Sequence, residues 1–140
     1  MKLWQQRGMT IIELLVVIAI IGVLAAVILA SLNDARQSGV EAKIKTEVDS
    51  IAKRAAIDFS TTGTYHTVCG SGGYTQSTII ADYVTSINTM ASSSMVCNSA
   101  DREFAVSVPV DGGNWCADSE GNRRTIASPL TTSPVETICP

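Results

Sequence analysis

The feature that most constrains this chain is an apolar run from Leu14 to Ala30 that contains no charge and no proline. As a helix rising about 1.5 Å per residue, the run extends roughly 25 Å, just under the hydrocarbon thickness of a bilayer. It is long enough to sit in a membrane. Glu13 stands at the edge of the run, where desolvating a carboxylate costs at least a few kcal/mol unless a cation neutralises it. Lys2 and Arg7 precede the run. The positive-inside bias therefore keeps the N-terminus cytoplasmic and sends residues after Ala30 outward. A secretory signal cut after the run and a plain single-pass anchor are the two ordinary alternatives. The run is at or beyond the upper length of a signal core, and neither alternative explains Glu13.

A basic leader from Met1 to Gly8, then Met9, Thr10, Ile11, Ile12, Glu13 and a long apolar helix resembles the class III signal of type IV pilins and their relatives. The resemblance covers about the first 30 residues and no more. It implies that a prepilin peptidase cuts between Gly8 and Met9 on the cytoplasmic side and methylates the new amine of Met9, leaving the anchor on the mature protein. It also implies a homo-oligomeric helical filament, shared with other pilins, in which Glu13 pairs with the methylated amine of Met9 on a neighbouring subunit. An assembly ATPase and a platform protein are the further partners it implies, with the cytoplasmic membrane holding the subunit beforehand. Two residues depart from the commonest pattern. Met9 replaces a phenylalanine, and Ala30 stands where many major pilins carry a helix-kinking proline. Gly22 costs about 1 kcal/mol of helix propensity relative to Ala and is the expected weak point of the helix.

The 140 residues leave room, after leader and anchor, for one modest globular domain. The expected division is a leader at 1–8, a membrane or filament-core helix at 9–30, its amphipathic continuation at 31–60 and a headgroup at 61–140. The formal charge is −3; losing Lys2 and Arg7 turns ten basic residues into eight against 13 acidic ones and moves it to −5. An acidic mature chain has no electrostatic footprint for nucleic acid.

The polar stretch after Ala30 contains no proline and stays compatible with helix. Ile44, Val48, Ile51 and Ala55 fall at spacings of four, three and four, one apolar stripe that should pack on a sheet, with Lys43, Lys45, Glu47, Asp49, Lys53 and Arg54 on the other faces. Glu41 with Lys45, and Asp49 with Lys53, stand four apart in the favourable order and add a few tenths of a kcal/mol each. Ser38–Gly39 is the expected bend. Unbroken from about Thr10 to about Phe59, the helix would span roughly 75 Å, a length that makes sense only if half of it packs in a membrane or against other copies.

Ser60 to Thr67 reads as the helix exit, with Gly63 as a cap. Cys69 to Gly73 is loop-like, and Ser77 to Ile87 reads as a short helix or an irregular segment around Ile79, Ile80, Tyr83 and Val84. Ala91 to Ser94 reads as a solvated loop, with glycosylation as the alternative. From Glu103 the pattern alternates: Phe104, Val106, Val108 and Val110 form one face of a strand that Pro109 ends or leaves at an edge. Asp111-Gly112-Gly113 and Glu120-Gly121-Asn122 are turns around strands at Asn114–Asp118 and Arg123–Ile126. The result is a three-stranded antiparallel meander. A long N-terminal helix on a small antiparallel sheet is an α+β arrangement, and the resemblance implies the same headgroup.

The four cysteines allow three connectivities. With the turn centred on Asp111 to Gly113, Cys116 lies opposite about Val106 or Ser107, leaving Cys97 some nine residues further along and beyond the roughly 5.5 Å Cα separation of a bridge. This favours Cys69–Cys97 with Cys116–Cys139, each contributing about 3 kcal/mol. A zinc site is the alternative, but no close C-x-x-C pair exists and His66 is the single histidine. His66 reads as a surface loop residue. Asp111, Asp118 and Glu120 are similar to a calcium loop of secretion pseudopilins but read more simply as solvated turn carboxylates. No motif brings together a catalytic set, so no cofactor, metal or enzymatic activity is expected. The functional expectation is a structural subunit of a type IV pilus-like filament. A pseudopilin of a type II secretion or DNA-uptake system is the nearer alternative, and a membrane-anchored extracellular enzyme or binding module the more distant one.

Overall fold

The computed structural model describes residues 9–91 and 93–140, so Lys2, Arg7 and Gly8 lie outside the described residues. The elements run α1 (Ile11–Thr62), α2 (His66–Cys69), α3 (Thr78–Met90), β1 (Val96–Ser99), β2 (Phe104–Val110), β3 (Gly113–Asp118) and β4 (Arg123–Ile126). This is an α+β, pilin-like fold, with a long N-terminal apolar helix and a four-stranded antiparallel sheet. The chain separates into two compact units, one ending at Ser38 and the other Gly39–Pro140. The helical assignment of α1 continues without interruption through Gly22, Ser38 and Gly39.

In the first unit the apolar residues of α1 from Ile11 to Leu32 are exposed on every face. Among the described residues α1 is the one helix long and apolar enough to cross a membrane.

In the second unit the burial pattern of α1 changes from none to a stripe. Ile44, Val48, Ile51 and Ala55 are buried as their spacing requires, and Ala52 joins them. Burying a side chain such as Ile51 stabilises the fold by about 1.5–3 kcal/mol. The outer faces carry four i,i+4 ion pairs: Lys43–Glu47, Lys45–Glu41, Lys53–Asp49 and Arg54–Asp58. The helix ends where Gly63, at φ 72°, takes the left-handed conformation that a side chain would resist; its N–H bonds the carbonyl of Phe59 at 2.8 Å. The segment 78–90 is a full helix, α3, with Ile80 and Ile87 buried two turns apart on one face.

The sheet has the order β1-β2-β3-β4, one strand more than the alternating pattern predicts. Val96-Cys97-Asn98-Ser99 is too short and too polar to announce itself, and it becomes a strand by pairing with β2, where Cys97 faces Val106. Pro109 sits inside β2, opposite Asn114. It is tolerated because β1 reaches only as far as Ser107, so no strand needs the N–H that proline lacks on that side.

Alternation divides the sheet into two buried faces. Phe104, Val106, Val108 and Ala117 pack with the α1 stripe, Val68, Ile80 and Ile87. Ala105, Cys116 and Ile126 pack with Leu130 and Cys139 of the C-terminal segment. Five consecutive residues of β2, Phe104 to Val108, are consequently buried.

Cys69 is bonded to Cys97 and Cys116 to Cys139, with Cα separations of 5.6 and 5.9 Å. The distance argument that separates Cys97 from Cys116 in the sequence is corrected here. The hairpin brings β1 back beside β2, so Cys97 is in register with Val106, immediately next to the Ser107↔Cys116 pair. What keeps the two apart is parity: Cys97 packs with the helix-side core and Cys116 with the tail-side core.

Candidate functional site

The N-terminal site is built by Thr10 and Glu13. The Thr10 backbone N–H and hydroxyl donate to Glu13 Oε2 at 2.8 and 2.9 Å, and the Glu13 N–H donates to Thr10 Oγ1 at 3.3 Å. This reciprocal pair is a capping box, which satisfies orphan N–H groups at the helix start. The signal was present in the sequence as Thr followed three residues later by Glu, directly before an apolar run, and reading Glu13 only as a charge in search of a cation missed it. Met9 is exposed beside this site. Gly22 lies within α1, and a Cβ added there would meet nothing within 4 Å.

The headgroup contains a second ordered site that the sequence did not disclose, on the sheet face opposite α1. Asp118, at the end of β3, is 1% exposed. Its Oδ1 accepts the N–H groups of Glu120 and Asn122 at 3.0 and 2.9 Å, and its Oδ2 accepts the Asn122 side-chain amide at 2.7 Å and the Cys139 N–H at 2.9 Å. Asp118 is therefore a buried clamp and not a solvated turn carboxylate. Burial alone would raise its pKa, but the bonds from Cys139, Asn122 and Glu120 outweigh that penalty and hold the carboxyl below the ordinary value. Asp111 and Glu120 are exposed, and Glu120 joins the clamp only through its backbone N–H. The same face is closed by Asn98, whose amide donates to the carbonyls of Thr131 and Glu136 at 2.8 Å each, and by Ser107, whose hydroxyl accepts the Leu130 N–H at 3.1 Å. Three polar residues pointing away from α1 thus hold the tail, together with the Cys116–Cys139 bond.

On the helix side, Arg123 of β4 reaches Asp49 of α1 at 3.3 Å. Asp49 is held below the usual carboxylate range first by its bond from Lys53, against a smaller opposing effect of burial, with Arg123 adding to Lys53.

His66 is not an isolated loop histidine. It opens α2, its Nδ1 lies 2.7 Å from Ser71 Oγ, and its Nε2 lies 3.2 Å from Asp101 Oδ1. Ser71 Oγ also donates to the Ser99 carbonyl at 3.1 Å. No spacing in the sequence could have joined residues 66, 71, 99 and 101. The Asp101 end of this chain is 84% exposed, so water screens its charge. The contacts fasten the α2 segment to the end of β1 beside the Cys69–Cys97 bond.

A long exposed apolar helix that opens on a capped glutamate, together with a disulfide-bonded α+β unit, is a pilin-like architecture. Residues 5–29 match the prokaryotic N-terminal methylation motif, the class III signal peptide of type IV pilins and pseudopilins. The motif supports a pilin- or pseudopilin-like precursor, points to a structural subunit, and implies processing by prepilin peptidase and assembly with other pilins. Together with the apolar helix it fits anchoring in the membrane before assembly. No curated protein and no solved structure matches the chain.

Proposed function

We propose that the chain is a structural pilin of a type IV pilus-like extracellular filament. It is cut between Gly8 and Met9 and N-methylated on Met9. It waits in the cytoplasmic membrane with its N-terminus inside, and an assembly ATPase and platform protein then draw it into the filament. The observation that carries this reading is the first part of α1, apolar and exposed on every face, with one carboxylate at its entrance. Lipid and neighbouring helices are interchangeable solvents for such a surface, so the exchange from membrane to filament core is nearly neutral for Leu14 to Leu29. The charges are not neutral. Glu13 and the amine of Met9 on a neighbouring subunit each cost several kcal/mol alone in an apolar core, and cancel when paired. That pairing gives the assembly its axial register.

The capping box supplies a sharp test, because glutamine at position 13 keeps the acceptor for Thr10 N–H but carries no charge. Subunit amounts are compared between sheared filaments and membranes for Glu13→Ala and Glu13→Gln. Both variants are expected to stay in the membrane. Normal filaments from Glu13→Gln would reduce Glu13 to a helix cap and overturn the charge-pairing mechanism.

A further inference from the structure

Three residues of the His66 network carry a chemistry that a filament does not use. Nδ1 of His66 lies 2.7 Å from the Ser71 hydroxyl, and Nε2 lies 3.2 Å from a carboxylate oxygen of Asp101. A hydroxyl bonded to one imidazole nitrogen, with a carboxylate on the other, is the arrangement that turns a serine into a nucleophile. A carboxylate only accepts hydrogen bonds, so a neutral His66 bonded to Asp101 carries its proton on Nε2 and presents a lone pair at Nδ1. The single Ser71 proton then has two acceptors, Nδ1 at 2.7 Å and the Ser99 carbonyl at 3.1 Å, and the shorter contact is the one along which it can leave. Ser99 Oγ, 2.8 Å from Ser71 Oγ, fixes the hydroxyl further.

The ring itself is held in place. Its side chain is 18% exposed, a Cβ on Gly72 would stand 2.9 Å from it, and the Tyr74 ring stacks on it at 5.5 Å. Gly72 and Gly73 follow Ser71 with φ of 60° and 83°, in a turn that the Tyr74 N–H closes on the Ser71 carbonyl at 3.0 Å. Among the described residues, the N–H groups of Gly72 and Gly73 enter no backbone hydrogen bond. The N–H of the residue after a nucleophilic serine is a regular donor to the oxyanion of acyl transfer. Residues 72–75 are exposed, so solvent reaches this turn directly.

We propose that Ser71 is a nucleophile for acyl transfer from small activated esters, with His66 as its base, the Gly72 N–H as the oxyanion donor and Asp101 as a positioning residue. Ser71 Oγ attacks the ester carbonyl carbon while its proton passes to His66 Nδ1. The bond from that carbon to the leaving oxygen breaks, the alcohol departs with the proton from His66, and the acyl group stays as an ester on Ser71. Water repeats the sequence, releasing the carboxylic acid and restoring the serine. Two exposed glycines offer no wall for a long acyl chain, so the substrate class is short acyl esters with a good leaving group. Asp101 is 84% exposed, so its charge is screened and it acts by setting the tautomer of His66.

The test treats the full chain, folded in detergent with both disulfides intact, with a fluorophosphonate, which loses fluoride to a reactive serine, and locates the adduct by fragmenting the labelled peptide. The expected result is one adduct, on Ser71, formed at least about tenfold faster than on any serine of the urea-unfolded chain and slowed by at least the same factor in His66→Gln. Hydrolysis of p-nitrophenyl acetate is expected to follow the same pattern and to be lost in Ser71→Ala. In Asp101→Asn the amide can donate to Nε2 and move the ring proton to Nδ1, so labelling should fall several-fold with melting unchanged, and Asp101→Glu should restore it. No adduct, an adduct on another residue, or labelling of Ser71 that His66→Gln leaves unchanged overturns the proposal; full labelling of Asp101→Asn overturns the part given to Asp101. The filament reading stands in each case, because it does not involve this site.

Discussion

Asp118→Asn is a nearly isosteric change at the clamp that joins β3, its turn and the tail. The carboxylate accepts four bonds, two on each oxygen. An amide can accept on one side only, so whichever way it turns, its NH2 group faces two N–H donors that lose their partner. An orphaned buried donor costs about 1–3 kcal/mol, which makes the expected loss about 2–6 kcal/mol. That is a large share of the 5–15 kcal/mol typical of a domain, and equals a fall in Tm of at least about 10 °C for a unit of this size. The assay is thermal unfolding of the full chain in detergent, read by the fluorescence of Trp115 in β3, with both disulfides intact. The pH dependence supplies a second check. The folded-state pKa of Asp118 is depressed below the ordinary 3.8, so its contribution is fully present above that value and is lost as pH falls through the lower folded pKa. Asn does not titrate. The gap between the two proteins should therefore be constant above about pH 5 and shrink below pH 4. A loss under about 0.5 kcal/mol, or a gap unaffected by acid, would refute the assignment of Asp118 as a charged clamp.

Two further outcomes follow from the same structure. A Cβ on Gly113, whose φ is 150°, would stand 2.5 Å from the Ile126 carbonyl oxygen, so Gly113→Ala must displace β4 and should cost about 2 kcal/mol or more, measured by denaturant unfolding; a neutral result would place β4 elsewhere. Intact-mass analysis of sheared filaments should give a chain that starts at Met9, heavier by one methyl group and lighter by four hydrogens that return on reduction. A chain starting beyond Ala30 would instead identify a cleaved secretory signal and remove the anchor from the mature protein.

The sequence by itself determined whatever depends on short-range periodicity and composition. The uncharged run from Leu14 to Ala30 is long and apolar enough for a membrane-crossing helix, and the spacing of Ile44, Val48, Ile51 and Ala55 fixes which face of α1 enters the core, because one helical turn sets it. The alternation from Phe104 to Val110 likewise declares a strand, and Thr10 with Glu13 spells out a cap within four residues. Tertiary structure decided the rest, where burial depends on partners distant in the chain. Val96–Ser99 is a strand only because β2 offers it an edge. Asp118 looks like any turn carboxylate until Cys139, 21 residues away, delivers an N–H to it. Residues 66, 71, 99 and 101 meet only after β1 has paired. The second sheet face shows the reason most plainly. Ala105 and Ser107 read as the solvent side of a half-buried strand, and they become interior because a tail with no helical or strand period of its own lies over them, held by side-chain bonds and a disulfide that no local pattern encodes.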